Sequence, residues 1–343
     1  MLHCIGQSAH RLSCGIVGLM NIVQAISFAL KLCVLACVAT TCLAQAYPSR
    51  TIQVVVPYTP GVGADILARL LGPRLAEQWK ISVVTDNRVG ASGNIGADAV
   101  AKATPDGHTL LSTATAFATN PAINRKLPFD PIKSFAPVIL LATSDVSICA
   151  SPHAGMQSLK ELIDASRAQP GKFHYASSGN GTPQHLAMEL FKMEAKIDLV
   201  HVPYKGAGGA IADLIAGHVQ TMMIPTQSAA PYLQSGKLRM LGLLSAQRSP
   251  AFPQVPTLIE LGMPGLEVKT WYGLFAPAGT PAAVIEKINA GFNSLLKQAD
   301  VQEALAKQGM NVAGGTPEQF AQEYECDFAA AILGWEWSAE GWE

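Results

Sequence analysis

Residues 52–65 read Ile-Gln-Val-Val-Val-Pro-Tyr-Thr-Pro-Gly-Val-Gly-Ala-Asp, and this stretch decides the fold. A short apolar run rich in β-branched residues predicts a buried strand. Two prolines and two glycines then end the strand and force a tight loop. Beyond it, Ile66, Leu67, Leu70, Leu71 and Leu75 recur at helical spacing. A strand, a glycine-rich loop and a helix turn backbone N–H groups toward whatever sits above the strand end. The helix N-terminus adds partial positive charge, so the place suits an anion. No Lys-Ser or Lys-Thr pair follows the glycines, and position 66 is Ile where a dinucleotide fingerprint needs Gly, so a nucleotide is disfavoured. A small carboxylate fits better.

The pattern repeats downstream. Ile81–Val84 predicts a second strand, running into a loop from Asp86 to Asn94 and a helix to Ala103. His108–Thr113 predicts a third strand, and strands alternating with helices argue a parallel sheet in an α/β domain. Pro73 is expected to kink the first helix. Residues 120 to 137 read as a surface excursion, and Val138–Ala150 as a long apolar strand. Ser158 to Glu161 has the capping-box pattern and opens a helix ending near Pro170. Alternation then restarts: Phe173–Ser177 is a strand, Thr182 a good N-cap and Pro183 a good first helical residue. Strands at Val200–Tyr204, Val219–Ile224 and Leu238–Ser245, with a helix to Ala216, complete a second sheet. Trp271–Pro277 is a further strand, Pro281–Lys297 and Val301–Gln308 are helices, and another helix opens at Thr316. No helix is assigned from Cys326 to Glu343.

Length and composition bound the function. The 343 residues suffice for two domains, and only 14% are charged. Residues 1 to 46 hold Arg11 and Lys31 but no acid, and a short apolar run follows Lys31 up to Ala44-Gln45-Ala46. This layout predicts a secretory signal cleaved near Ala46, with Met20 a plausible initiator, rather than a membrane anchor. The formal net charge of −1 counts 24 bases against 25 acids; without the leader 22 bases remain and the charge is −3. Nucleic acid and anionic membrane surfaces are not expected partners. Five of seven cysteines lie in the leader, leaving Cys149 and Cys326, so no disulfide scaffold and no metal site are expected.

No catalytic set stands out. Ser178, His185 and Asp213 could form a triad, but no nucleophile elbow surrounds the serine. His185 also suits first-turn capping or packing, Asp65 suits a cap, and His174 and His201 suit strand packing. Anion-ready loops without a catalytic set favour a binding protein that uses no cofactor. A serine-type hydrolase and a periplasmic sensor are the alternatives. The ligand-binding candidates are Tyr58, Thr59, Gly61, Val62, Gly63, Ala64 and Asp65 on the first loop, and Ser178, Asn180, Gly181, Thr182 and His185 on the second. Carboxylates are expected on the amides of Val62, Gly63, Ala64, Gly181 and Thr182, with Arg88 and Lys205 serving structure or the cleft rim.

VPYTPGVGAD at 56–65, DNRVGASGNIGADAVAKATPDGHTLL at 86–111 and LPFDPIKSFAPV at 127–138 resemble the Bug family of periplasmic solute receptors of tripartite tricarboxylate transporters. YASSGNGTPQHLAMELF at 175–191, DLVHVPYKGAGGAIADLIAGHV at 198–219 and WYGLFAPAGTP at 271–281 continue the likeness from about residue 47 to about 322. It implies a two-lobed α/β periplasmic binding protein fold of type II-like design, each lobe a mainly parallel sheet flanked by helices. Lobe 1 would hold 47–143 plus 246–343 and lobe 2 residues 144–245, with Val138–Ala150 and Leu238–Ser245 as crossing strands. It further implies a monomer that holds a small carboxylate between facing loops and hands it to integral membrane transporter subunits. Thr59, Val62, Ala64 and Val89 depart from the family pattern, in which these loops are richer in Pro and Gly.

Overall fold

A computed structural model of the chain describes residues 47–123 and 126–339. The leader and its cleavage site therefore lie outside the described residues. Everything described below belongs to the unit that starts at Arg50.

Its first half alternates as the sequence predicts: β1 (Ile52–Val56), α1 (Gly63–Trp79), β2 (Val83–Asn87), α2 (Asn94–Ala101), β3 (Thr109–Ala114) and α3 (Ala116–Ile123). β1 lies between β2 and β3, parallel to both. Strand β2 starts later and runs further than expected, because Asp86 and Asn87 stay in register with Val55 and Val56. Pro73 sits inside α1 without dividing it. The excursion expected from residue 120 is a correction, since α3 runs into it with Pro121 inside the helix.

β4 (Phe135–Ala150) is 16 residues long and serves two sheets. Its first part, Phe135–Asp145, pairs antiparallel with β9 (Lys269–Pro277), which also borders β3. Its last residues, Val146–Ala150, pair with β7 (Thr221–Pro225), and Ser147–Ala150 with β8 (Arg239–Leu243). Between these come α4 (Leu159–Ala168), β5 (His174–Ser177), α5 (Pro183–Ala195), β6 (Val200–Pro203), α6 (Ala207–Ala216) and α7 (Thr226–Gln234). β5 lies parallel to both β6 and β7. The sheet path is β2-β1-β3-β9-β4-β7-β5-β6. Each half is thus parallel where strands alternate with helices and antiparallel where β4 and β9 enter. β8 lies wholly on the second-half end of β4; the return to β9 runs through residues 244–268, with Val268 N–H donating to Leu244 C=O.

The C-terminal part supplies α8 (Ala282–Leu296), α9 (Ala299–Ala306), β10 (Met310–Val312, paired with β4) and α10 (Pro317–Ala339). The unassigned stretch after Cys326 is therefore helical as far as Ala339. Phe320, Tyr324 and Phe328, at i, i+4 and i+8, carry α10 onto a core with Phe117, Phe135, Trp271 and Phe275. Where β4 changes sheets, Ser144 Oγ and Thr226 Oγ1 share a 2.8 Å hydrogen bond, and whichever hydroxyl accepts in it is free to donate to Gly309 C=O. Both buried hydroxyls are thereby satisfied, as burial requires.

Gly273, central in β9, leaves room for the Phe320 ring: a Cβ there would lie 2.1 Å from Phe320 Cζ. Gly273→Ala is expected to destabilise the fold by about 1–3 kcal/mol through overpacking. Urea denaturation should show the loss, and Phe320→Leu in the same chain should recover part of it; an additive double variant would contradict the packing account.

Candidate functional site

A cavity of about 780 Å³ opens where the parallel strands end. Residues following the carboxyl ends of β1, β2, β3, β5, β6 and β7 all line it. Ligands of open α/β sheets bind at such ends.

The first wall is the loop between β1 and α1. Asp65, 2% exposed, organises it. Its carboxylate accepts from Gly61 N–H at 2.9 Å, from Arg69 Nε at 3.0 Å and from Asn87 Nδ2 at 2.9 Å. The same Asn87 amide donates to Tyr58 C=O. Burial raises the Asp65 pKa, but these hydrogen bonds outweigh it and hold the carboxyl below its ordinary value. With Gly61 so engaged, the amides of Val62, Gly63 and Ala64 have no acceptor among the described residues. They form the open N-terminus of the 17-residue α1, whose N-cap Val62 has no capping side chain.

Gly63 must be glycine, because a Cβ would lie 2.4 Å from Tyr272 Cζ. The Tyr272 hydroxyl accepts a hydrogen bond from Gln227 Nε2, and burial keeps its pKa far above the usual phenol value. Tyr58 likewise stays protonated through burial, its hydroxyl 3.0 Å from Thr113 Oγ1. Both phenols remain neutral hydrogen-bonding groups at neutral pH.

The second wall is the loop between β5 and α5. Thr182 caps α5 by accepting from His185 N–H, as expected. The expected roles of the Gly181 and Thr182 amides are corrected, because both are already engaged. Gly181 N–H donates to His185 Nδ1 at 3.0 Å and Thr182 N–H to Gly179 C=O. The amides of Asn180 and Gln184 are without an acceptor among the described residues. A third open helix end is α6, whose N-cap Gly206 (φ 139°) has no capping side chain. A fourth loop, residues 90–93, has positive φ throughout, including the non-glycine Ala91 and Ser92. Such strain is stored where surroundings dictate the backbone, often at functional sites.

Of the sequence candidates, Tyr58, Thr59, Val62, Gly63, Ala64, Ser178, Asn180, Gly181 and Thr182 line the cavity together. Gly61, Asp65 and His185 are not in the wall; they hold the loops from behind. The residues of the hydrolase alternative are not assembled. No hydrogen bond joins Ser178 to His185, and Asp213 is engaged by Tyr204 and His218. The serine–histidine bond that does form links Ser177 Oγ to His201 Nε2 at 2.7 Å, and Ser177 is buried outside the cavity wall. Arg88 pairs with Asp86 away from the wall, whereas Lys205 lines it. Tyr272, Gln227 and Thr270 were not anticipated. Eight of the nine residues of β9 are buried, leaving no alternation to mark the inward side chains, and α7 was not read at all.

The profile of the family described as tripartite tricarboxylate transporter family receptor matches residues 67–327. Protein BugT of Bordetella pertussis is 35% identical over 284 residues, covering 82% of this chain and 87% of its own. An R. palustris protein solved with adipate is 33% identical, with a TM-score of 0.81, covering 86% of this chain and 97% of its own. MatC from Rhodopseudomonas palustris, with bound malate, is 32% identical with a TM-score of 0.77, covering 83% and 99%. The fold is the α/β, two-lobed one of periplasmic binding proteins.

Behind the second wall, the rings of Tyr175, His201 and His185 stack, with His185 and His201 4.2 Å apart. Burial, and then the neighbouring His185, push the His201 pKa down to about 4. The unfolded chain binds this proton near pH 6.5, so stability is full above that pH and falls as pH drops toward 4. His201→Gln, which keeps a donor toward Ser177, should flatten part of that fall. Thermal melts between pH 7.5 and 4.5 check this; parallel curves for both proteins would contradict it.

Proposed function

The chain belongs to the family of tripartite tricarboxylate transporter receptors, Bug proteins among them, and from that premise we propose that it captures a small carboxylated solute in this cavity and delivers it to membrane transporter subunits. The observation that carries the reading is the set of unpaired first-turn amides of α1 facing a cavity at the strand ends. A carboxylate there meets N–H donors and the positive end of a helix dipole. The Tyr58 and Tyr272 phenols and the Ser178 and Asn180 side chains give it direction. Relatives of about one-third identity hold adipate and malate, which are dicarboxylates.

The protein acts without chemistry on the ligand. One lobe consists of β1–β3, β9 and the first part of β4; the other of β5–β8 and the end of β4. The lobes close by bending near Asp145, where β4 changes partners. Ligand favours the closed form through contacts made with both walls at once. Export precedes this work, with the leader removed near Ala46, and the mature protein is a periplasmic monomer.

Because neutral donors hold the charge, Asn180→Ala should weaken adipate or malate binding by about 1 kcal/mol, roughly fivefold. Lys205→Ala should cost less, since an exposed base is screened by solvent, and Arg88→Ala should cost nothing measurable. Titration calorimetry decides: loss of all binding in Lys205→Ala, with Asn180→Ala unaffected, would mean recognition by an ion pair instead. Delivery is checked by uptake of the bound acid in cells lacking the receptor, which the exported chain should restore.

A further inference from the structure

The cavity wall divides into two kinds of surface. Open amides lie at the ends of α1, α5 and α6. The remainder is more hydrocarbon than polar: Val62, Val89, Ala114, Pro225 and the rings of Tyr204 and Tyr272 surround the side chains of Asn120, Gln227 and Thr270. Lys205 is the one charged residue in the lining, and it is exposed with no ion pair among the described residues. Tyr204 is fixed in the wall by a 2.5 Å hydrogen bond from its hydroxyl to Asp213.

The size of the cavity is not that of a gaping cleft. Loops from its two sides already meet: a Cβ on Gly206 would lie 3.7 Å from Thr59 Cγ2. Yet about 780 Å³ remains, within the ~300–1,000 Å³ range that encloses drug-sized ligands. A compact four-carbon diacid at the amides would leave much of the apolar wall facing trapped water. Helix dipoles act only within the first turn, so charge is well held beside the helix ends and poorly held away from them. Apolar surface gains affinity only when the ligand covers it with apolar surface of its own.

We propose that the ligand is a carboxylate with a ring-sized apolar body, one or two charged groups lying at the helix ends and the body against the Val62, Val89, Tyr204 and Tyr272 wall. This rests on the carboxylate reading above and narrows it. Compact polyacids such as malate and citrate present too little apolar surface for this wall. Val89, 44% exposed at the mouth, contacts the body of the ligand rather than its charge and acts as a specificity residue.

The test uses calorimetry at several temperatures with benzoate, terephthalate, malate and citrate. At least one ring acid should bind tenfold or more tightly than malate and citrate. Its heat-capacity change should be the more negative, as apolar burial requires. Val89→Asn, a surface change with little risk to folding, should weaken that ring acid several-fold and leave malate within twofold. Equal affinities, or tighter binding of malate or citrate, overturn the proposal while leaving the carboxylate reading intact. If none of the four acids binds, the proposal falls, and titration with adipate then tests the carboxylate reading separately. An unchanged ring-acid affinity in Val89→Asn removes Val89 from its role and contradicts the placement of the body.

Discussion

One buried carboxylate fixes the geometry on which the site depends. Asp65 sits in the first turn of α1, where a negative charge is favoured by the helix dipole, and it reaches back to the loop that precedes it. By accepting from Gly61, Arg69 and Asn87 it satisfies a charge that burial alone would make costly. The consequence lies one residue further on. With Gly61 turned to Asp65 and Val62 at the N-cap offering no side-chain acceptor, the amides of Val62, Gly63 and Ala64 stay open toward the cavity. A residue outside the wall thus determines what the wall can bind.

The second wall reaches a related end by other means. Gly181 is held by an imidazole nitrogen instead of a carboxylate, and Thr182 supplies the cap that Val62 does not. Here fewer amides are left open, and more of the polar contact falls to side chains such as Ser178 and Asn180. His185 can accept from Gly181 only while Nδ1 is unprotonated, and burial lowers its pKa in the required direction. The two walls therefore differ in their pH sensitivity: one rests on a carboxylate that stays charged, the other on a histidine that stays neutral.

Much of this was legible in the sequence, for reasons particular to each element. β1 and α1 were readable because a β-branched run, a proline–glycine loop and a helical leucine pattern agree over residues 52–75. Thr182 and Pro183 marked the start of α5 by side-chain chemistry alone. α3 and α7 were not anticipated, and each holds a proline at its sixth position, past the first turn where proline is tolerated, so it reads as a breaker. The aromatic stripe of α10 was present at i, i+4 and i+8, yet the unfamiliar residues after Cys326 obscured it. Partner atoms were the least accessible layer. Glycine spacing shows that an amide is near a helix start, but not that His185, 4 residues from Gly181, has already taken it.

The central claim is that open helix-end amides, rather than a basic side chain, hold the ligand charge. Amide proton shifts on ligand saturation measure this directly, using whichever acid binds most tightly. Large downfield shifts at Gly63 and Ala64, with Gly181 changing little and the Lys205 side chain unmoved, are the result this account predicts. Shifts centred on Lys205, with Gly63 and Ala64 unperturbed, would contradict it.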